Sequence, residues 1–214
     1  NGTVVESFGG GICQVATTLY NAVIRAELEI TMRFNHSMLV HYVEPSMDAA
    51  IAGNYKDLKF KNNLDAPVYI EGYCSGGIIY FNVYGKETRP SNREISFESE
   101  TVSETDPKVQ FTMDASLTAG SVSVTQSGQS GCIAQLWKIV KVDGKQQSRD
   151  LFNKSNYQAT PKLITIGTKD ATSETLSALK AAIATGDEAK VRSAAADLKT
   201  NAQKKEEEQK EEEK

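Results

Sequence analysis

The sequence predicts an α+β N-terminal domain, with a helix packed on an antiparallel sheet, then an elongated all-β domain and a C-terminal helical tail. Three observations predict it. A glycine-rich turn runs into an amphipathic stretch near the start, strand-like runs separated by glycine turns follow, and from about residue 173 the apolar residues return to helical spacing.

Ile12, Val15, Ala16, Leu19, Val23 and Ala26 recur at helical spacing, so a helix burying that stripe is expected directly after Gly9, Gly10 and Gly11. Cys13 falls in its first turn, where backbone N–H groups lack intrahelical partners and the helix dipole favours an anion. The thiolate is the nucleophilic form, which makes Cys13 a candidate nucleophile. Gly9, Gly10 and Gly11 leave room for another chain to approach and join Gln14 as candidate binding residues. The N–H groups near Cys13 and Gln14 are candidate oxyanion donors. The same pattern also suits a small core cysteine behind a tight turn.

The two histidines of the chain, His36 and His41, come next, and Asp48 follows them. Cysteine at a helix start, then histidine, then an acid is the chain order of papain-like and transglutaminase-like thiol enzymes. There the histidine takes the thiol proton and the carboxylate fixes the imidazole tautomer. If Arg33 to Val43 is a strand, alternation places His36 and His41 on opposite faces. The polar neighbours Asn35 and Ser37 and the spacing to Asp48 favour His36, with His41 in reserve. Either histidine also suits a half-buried strand without chemistry.

Leu58 and Phe60 alternate with lysines, and Asn62 to Asp65 with Pro67 reads as a turn. The runs at 68–74 and 78–84 flank Ser75-Gly76-Gly77, the strongest hairpin signal of the chain, and Cys74 beside it reads as a strand residue. Thr88 to Asn92 breaks the pattern, which divides the sequence into domains at 1–88, 89–169 and 170–214. Strands are expected near 94–102, 108–113, 121–125 and 135–142, with a second hairpin signal at Asp143-Gly144. Trp137 and Tyr157 are candidates for stacking on a sugar ring, although aromatics at strand positions also serve packing. Leu176, Leu179 and Ile183, a turn at Gly186-Asp187, then Val191, Ala195 and Leu198 predict a helical hairpin ending in a charged run from Lys204 to Lys214.

Several separated motifs carry a family resemblance. The run from Gly9 through the helix, His36-Ser37, Tyr42-Val43-Glu44-Pro45, Asp48-Ala49, Leu58 to Asn63 and Pro67-Val68-Tyr69-Ile70 resemble, in order, the VanW-like domain over about residues 1–88. That family is named after an accessory protein of glycopeptide-resistance clusters and occurs in extracytoplasmic proteins of Gram-positive bacteria. Where it usually reads Gly-Arg-Asp-Ala, this chain has Ser46-Met47-Asp48-Ala49, and Met38 stands where an aromatic residue usually follows His-Ser. The acid is retained and the arginine is not. Gly120, Gly128, Gly131, Gly144 and Gly167, with the closing Ile164 to Lys169, resemble the extracellular module named for its five glycines, over about 92–169. That resemblance implies an elongated β-sheet domain of cell-wall and biofilm proteins, proposed to bind amino sugars.

The two resemblances imply a cell-wall or membrane-associated, extracytoplasmic protein of a Gram-positive bacterium, related to glycopeptide resistance, that binds or remodels peptidoglycan. The alternative is a thiol-dependent hydrolase or acyltransferase on wall peptides using Cys13, His36 and Asp48. Expected partners are peptidoglycan or its peptides and other envelope proteins. A net charge of −4 without a basic stretch argues against nucleic acid. No apolar run reaches the length of a membrane span, so anchoring is expected only through sequence preceding Asn1. No cofactor or metal is expected. Three cysteines permit a Cys74–Cys132 bridge that leaves Cys13 odd, or three reduced thiols, and the absence of a disulfide framework favours the latter.

Overall fold

The computed structural model describes residues 10–212 and divides into two compact units. Gly9, one of the candidate binding glycines, lies outside the described residues.

The first unit comprises the described residues up to Thr105 together with Gly131–Gln158. Helix α1 spans Ile12–Arg25 and starts from Gly11 without a side-chain cap. It buries Ala16, Thr17, Tyr20, Val23 and Ile24, while Ile12 and Val15 stay exposed. The buried stripe is thus rotated from the expected one. Thr17 and Tyr20 can go inside because their hydroxyls are hydrogen-bonded there, which removes the cost of burying them. The helix ends where Glu27 turns left-handed at φ 59° and the Leu28 N–H donates back to the Val23 carbonyl.

Strands β1 (Glu29–Met32) and β2 (Lys59–Lys61) form an antiparallel pair. Strands β3 (Tyr69–Ser75) and β4 (Ile78–Tyr84) form the expected hairpin, with Gly76 and Gly77 both at positive φ in its two-residue turn. Strands β5 (Arg93–Thr105), β8 (Gly131–Val142) and β9 (Lys145–Tyr157) make a three-stranded antiparallel sheet with β8 in the centre. The polar strand β9 had no periodic signal of its own. One core joins α1 to that sheet: Ala16, Tyr20, Ile24, Met47, Ala49 and Leu136 pack with Phe97 and Phe152. Glu27 ties the helix end to the same sheet, accepting from Arg93 at 2.6 Å and 2.9 Å and from Lys138 at 2.5 Å. The bonds from Arg93, outweighing the effect of burial, hold its carboxyl down at about 2, with Lys138 adding to them.

The second unit comprises Asp106–Ser130 and the described residues from Ala159. Its sheet places β10 (Lys162–Gly167) between β6 (Val109–Asp114), to which it is parallel, and β7 (Val122–Gln126), to which it is antiparallel. Helices α2 (Ser173–Ala184) and α3 (Glu188–Glu212) close it. Ile164, Ile166, Leu179, Val191, Ala195 and Leu198 form one buried cluster, so both expected helical stripes contribute to it. Thr172 caps α2 by accepting from the Thr175 N–H, and Asp187 accepts from the Ala189 N–H at the start of α3.

The expected helix on an antiparallel sheet and the helical hairpin are both present. The segment from Arg33 to Val43 is not a strand, however, and the alternation argument that separated His36 from His41 does not apply to it. Its backbone groups pair irregularly instead of along a neighbouring strand: the His36 N–H donates to Asp48, the Asn35 carbonyl accepts from Lys56, and the Phe34 and Ser37 carbonyls accept from the Ala50 and Gln158 N–H groups. The cysteines are all free, with Cys13 half-buried, Cys74 exposed and Cys132 buried.

Candidate functional site around Asp48

The site is built by the segment Met47–Ile51, which runs between α1 and the Arg33–His36 stretch. On the helix side its backbone is held by side chains four residues apart. The Asn21 amide donates to the Met47 carbonyl at 2.7 Å, and Thr17 Oγ1 both accepts from the Ala49 N–H at 3.0 Å and donates to the Ala49 carbonyl at 3.3 Å. Cys13 completes the ladder, its thiol accepting from the Ile51 N–H at 3.4 Å and donating to the Ile51 carbonyl at 3.5 Å. Helical spacing of four matches extended spacing of two, so three consecutive turns of α1 each satisfy one alternate residue of the segment.

The intervening residues face the other way. Asp48, with a fully buried side chain, accepts from Arg33 Nη2 at 2.7 Å and Tyr157 Oη at 2.5 Å on Oδ1, and meets the His36 N–H at 2.7 Å and His36 Nδ1 at 2.6 Å on Oδ2. Arg33 Nε also donates to the Asp48 carbonyl, and Ala50 donates to the Phe34 carbonyl. Burial pushes the Asp48 carboxyl up, but the bonds from the His36 ring, Tyr157, the His36 backbone and Arg33 together hold it below the usual aspartate value. Tyr157 is pushed up to about 12, first by burial and then by the Asp48 charge. Asp48 is therefore an anion held by four donors.

Of the two histidines, Asp48 engages His36, whose side chain remains 19% exposed; His41 lies exposed in the bend that follows. Since Nδ1 is taken by Asp48, Nε2 is the ring nitrogen that this bond leaves to other partners. Tyr42 stands edge-on to the His36 ring at 6.3 Å between centroids. Burial pushes its hydroxyl up. The hydrogen bonds of Cys13 run to Ile51, and those of His36 run to Asp48. Gly10, Gly11 and Gln14 are exposed at the helix start.

Tyr157 is only 2% exposed and donates its hydroxyl to Asp48 while accepting from the Ser46 N–H at 2.7 Å. It has no open face for a sugar, so of the two roles open to it, stacking and packing, it takes the buried one and positions Asp48. The Trp137 ring lies under the Arg149 guanidinium at 4.1 Å, and its Nε1 donates to Glu100 at 2.6 Å. Among the described residues no cluster of three or more His, Cys, Asp or Glu side chains is arranged to hold a metal ion. Arg33, Ser155 and Asn153 escaped the sequence reading. Arg33 donates to Ser155 at 2.8 Å across 122 residues, and no local pattern announces such a partner.

Residues 1–84 match the family model of VanW like protein, and residues 97–169 match that of the G5 domain. The chain carries a VanW-like region followed by a G5 module. An uncharacterized protein of Bacillus subtilis (strain 168), YoaR, is 40% identical to the chain over 86 residues, which is 40% of this chain and 28% of YoaR. The chain thus spans little more than a quarter of the curated relative it matches. Among solved structures it is similar to the G5 domain of an IgA1 protease, at 28% identity over 36% of this chain and 94% of that one with a TM-score of 0.25. It is also similar to HP0197-G5, at 24% identity over 35% of this chain and 99% of that one with a TM-score of 0.20. The matched G5 module divides between the two compact units: β5, β8 and β9 share the core of the VanW-like region, whereas β6, β7 and β10 pack with α2 and α3.

Ser46, where the VanW-like resemblance expects glycine, adopts φ 66°, a left-handed conformation that costs a residue with a Cβ. Its buried Oγ has no partner, while its N–H and carbonyl bond Tyr157 and Asn153. Ser46→Gly keeps both backbone bonds and removes the strain and the unpaired hydroxyl. It is expected to stabilise the protein by about 1 kcal/mol. The urea midpoint should rise, and a fall would refute this account of the turn.

Proposed function

We infer that this protein works at the outside of the bacterial cell as a wall-associated module that binds peptidoglycan, with the VanW-like region contacting wall peptides around Gln14, Tyr42 and His36. The pairing of a VanW-like region with a G5 module supports the address. One observation carries the choice of binding over turnover: the Cys13 thiol is a rung of the ladder that holds the Met47–Ile51 segment, bonded to Ile51 on both sides. His36, locked on Asp48 yet partly open to solvent, is a preorganised polar contact. In this reading 1–88, 89–169 and 170–214 are sequence modules and not separate folding units, and other envelope proteins are further partners.

The test is co-sedimentation of the full chain with purified peptidoglycan sacculi. Retention is expected, reduced several-fold by His36→Ala and unchanged by Cys13→Ser. No retention of the wild type would overturn the reading. A second reading, thiol-dependent hydrolysis or acyl transfer by Cys13 with His36 as base and Asp48 as orienter, draws on the 2.6 Å contact between His36 Nδ1 and Asp48. Its readout is the iodoacetamide alkylation rate of Cys13 at neutral pH in a Cys74→Ser, Cys132→Ala background. A rate far above that of free cysteine, collapsing in His36→Ala, would favour turnover; an ordinary or slower rate would remove it.

A further inference from the structure

The β3–β4 hairpin presents a face that neither the core nor the Asp48 site uses. The register Tyr69↔Tyr84, Glu71↔Asn82 and Tyr73↔Tyr80 places these six side chains on one side of the ribbon. The other side carries Ile70, Phe81 and Val83, all half-buried, with the Phe81 ring laid on Gly72 so closely that a Cβ there would come within 2.6 Å. That side anchors the hairpin, and β4 packs on α1.

The tyrosine face is open. Tyr69, Tyr73, Tyr80 and Tyr84 are 65%, 46%, 38% and 53% exposed. Their rings are nonetheless ordered against each other, Tyr69 on Tyr84 at 6.1 Å and Tyr73 on Tyr80 at 5.0 Å, both stacked. Between the two pairs, Glu71 Oε2 accepts from the Asn82 amide at 3.0 Å and from the Tyr84 hydroxyl at 3.2 Å. Cross-strand stacking explains why the pairs sit together. It does not explain why four large rings stay at the surface, where a contiguous apolar patch marks an interaction site.

The chemistry of the face selects its ligand. Rings that already hold each other lose little side-chain entropy when something stacks on them. Of the six residues one is a carboxylate and none is a cation, so a polyanion is repelled and a neutral ligand rich in hydroxyl donors is favoured. A pyranose presents an apolar C–H face to an aromatic ring and hydroxyls at its rim to Glu71 and Asn82. The two pairs are four residues apart along each strand, roughly 13 Å, so a ligand reaching both has to be an oligosaccharide. We propose that the tyrosine face of the β3–β4 hairpin is a binding platform for a neutral glycan chain. This rests on the peptidoglycan reading for the source of the sugar and assigns the glycan strand, as distinct from the peptide, to the hairpin.

The experiment titrates the full chain with a soluble β-1,4-linked tetramer of N-acetylglucosamine, followed by tyrosine fluorescence and amide NMR shifts, alongside sacculus co-sedimentation. The wild type is expected to bind saturably, with shifts confined to β3 and β4. Tyr73→Val/Tyr80→Val, which keeps strand-forming residues, is expected to bind at least about tenfold more weakly. Glu71→Gln, which leaves all four rings, gives a second variant should the double one fail to fold, and weaker tetramer binding is expected from it also. Absence of saturable binding, unchanged affinity in both variants, or a monomer that binds as tightly as the tetramer would each overturn the platform. Sacculi retained equally by wild type and hairpin variants, with no tetramer binding, would overturn the platform and leave the peptidoglycan reading standing. Tetramer binding without sacculus retention would support the platform and overturn that reading.

Discussion

A polypeptide of residues 1–88 will not show a cooperative unfolding transition, although it contains the whole VanW-like match. The reason is the composition of its core. Tyr20 and Ile24 of α1 and Met47 and Ala49 of the Asp48 segment are covered by Leu136 of β8, Phe97 of β5 and Phe152 of β9, all beyond residue 88. The polar interior is shared in the same way: Asn153 donates to Tyr20 Oη and the Ser46 carbonyl, and Tyr157 and Ser155 bond Asp48 and Arg33. Removing β5, β8 and β9 exposes the apolar face of α1 and orphans those groups together. In the full chain, Leu136→Ala should cost about 3 kcal/mol, since the side chain is fully buried and a cavity would remain. Urea denaturation followed by circular dichroism decides both. A sigmoidal transition with dispersed amide resonances for the excised fragment would show that the VanW-like region folds alone.

Asp48→Ala is expected to destabilise the first unit by about 3–5 kcal/mol, because it leaves the Arg33 guanidinium, side chain 7% exposed, without its counter-charge and strands Tyr157 and His36. Asp48→Asn keeps the shape and removes the charge, which exposes the pH dependence. The Asp48 carboxyl titrates below its unfolded value in the native protein, so its contribution is complete above about pH 4 and disappears as pH falls through the depressed folded value. The stability gap between wild type and Asp48→Asn should therefore close as the solution is acidified below about pH 4. Glu27, held at about 2, loses its own contribution over a similar range but does so in both proteins, and the comparison cancels it. A gap independent of pH down to 2, or an Asp48→Ala variant within about 1 kcal/mol of wild type, would show that the carboxylate is not the centre of this network.

Much of the architecture was legible in residues that act locally. Gly76-Gly77 and Asp143-Gly144 announced their hairpins because only a few residues tolerate the positive φ that such turns require. Leu179, Val191, Ala195 and Leu198 announced the helical hairpin because its stripes obey the helix period. Cys13, His36 and Asp48 were legible as a chain order, and His36 does meet Asp48.

What each of those side chains does was a tertiary decision. The Arg33–Val43 segment looked like a strand, yet a buried carboxylate twelve residues beyond His36 offers its backbone a stronger partner than a neighbouring strand would. The buried stripe of α1 moved by a fraction of a turn because Thr17 and Tyr20 found hydrogen-bond partners at Ala49 and Asn153. Tyr157, open in the sequence to either stacking or packing, became a buried donor to an aspartate 109 residues away. The amino-acid sequence by itself determined the turns, the helices and the two family modules, since those depend on neighbours in the chain. Only the tertiary structure decided that strands of the G5 module complete the core and the charged centre of the VanW-like region, because burial, and the need of every buried polar group for a partner, are set by contacts across more than a hundred residues.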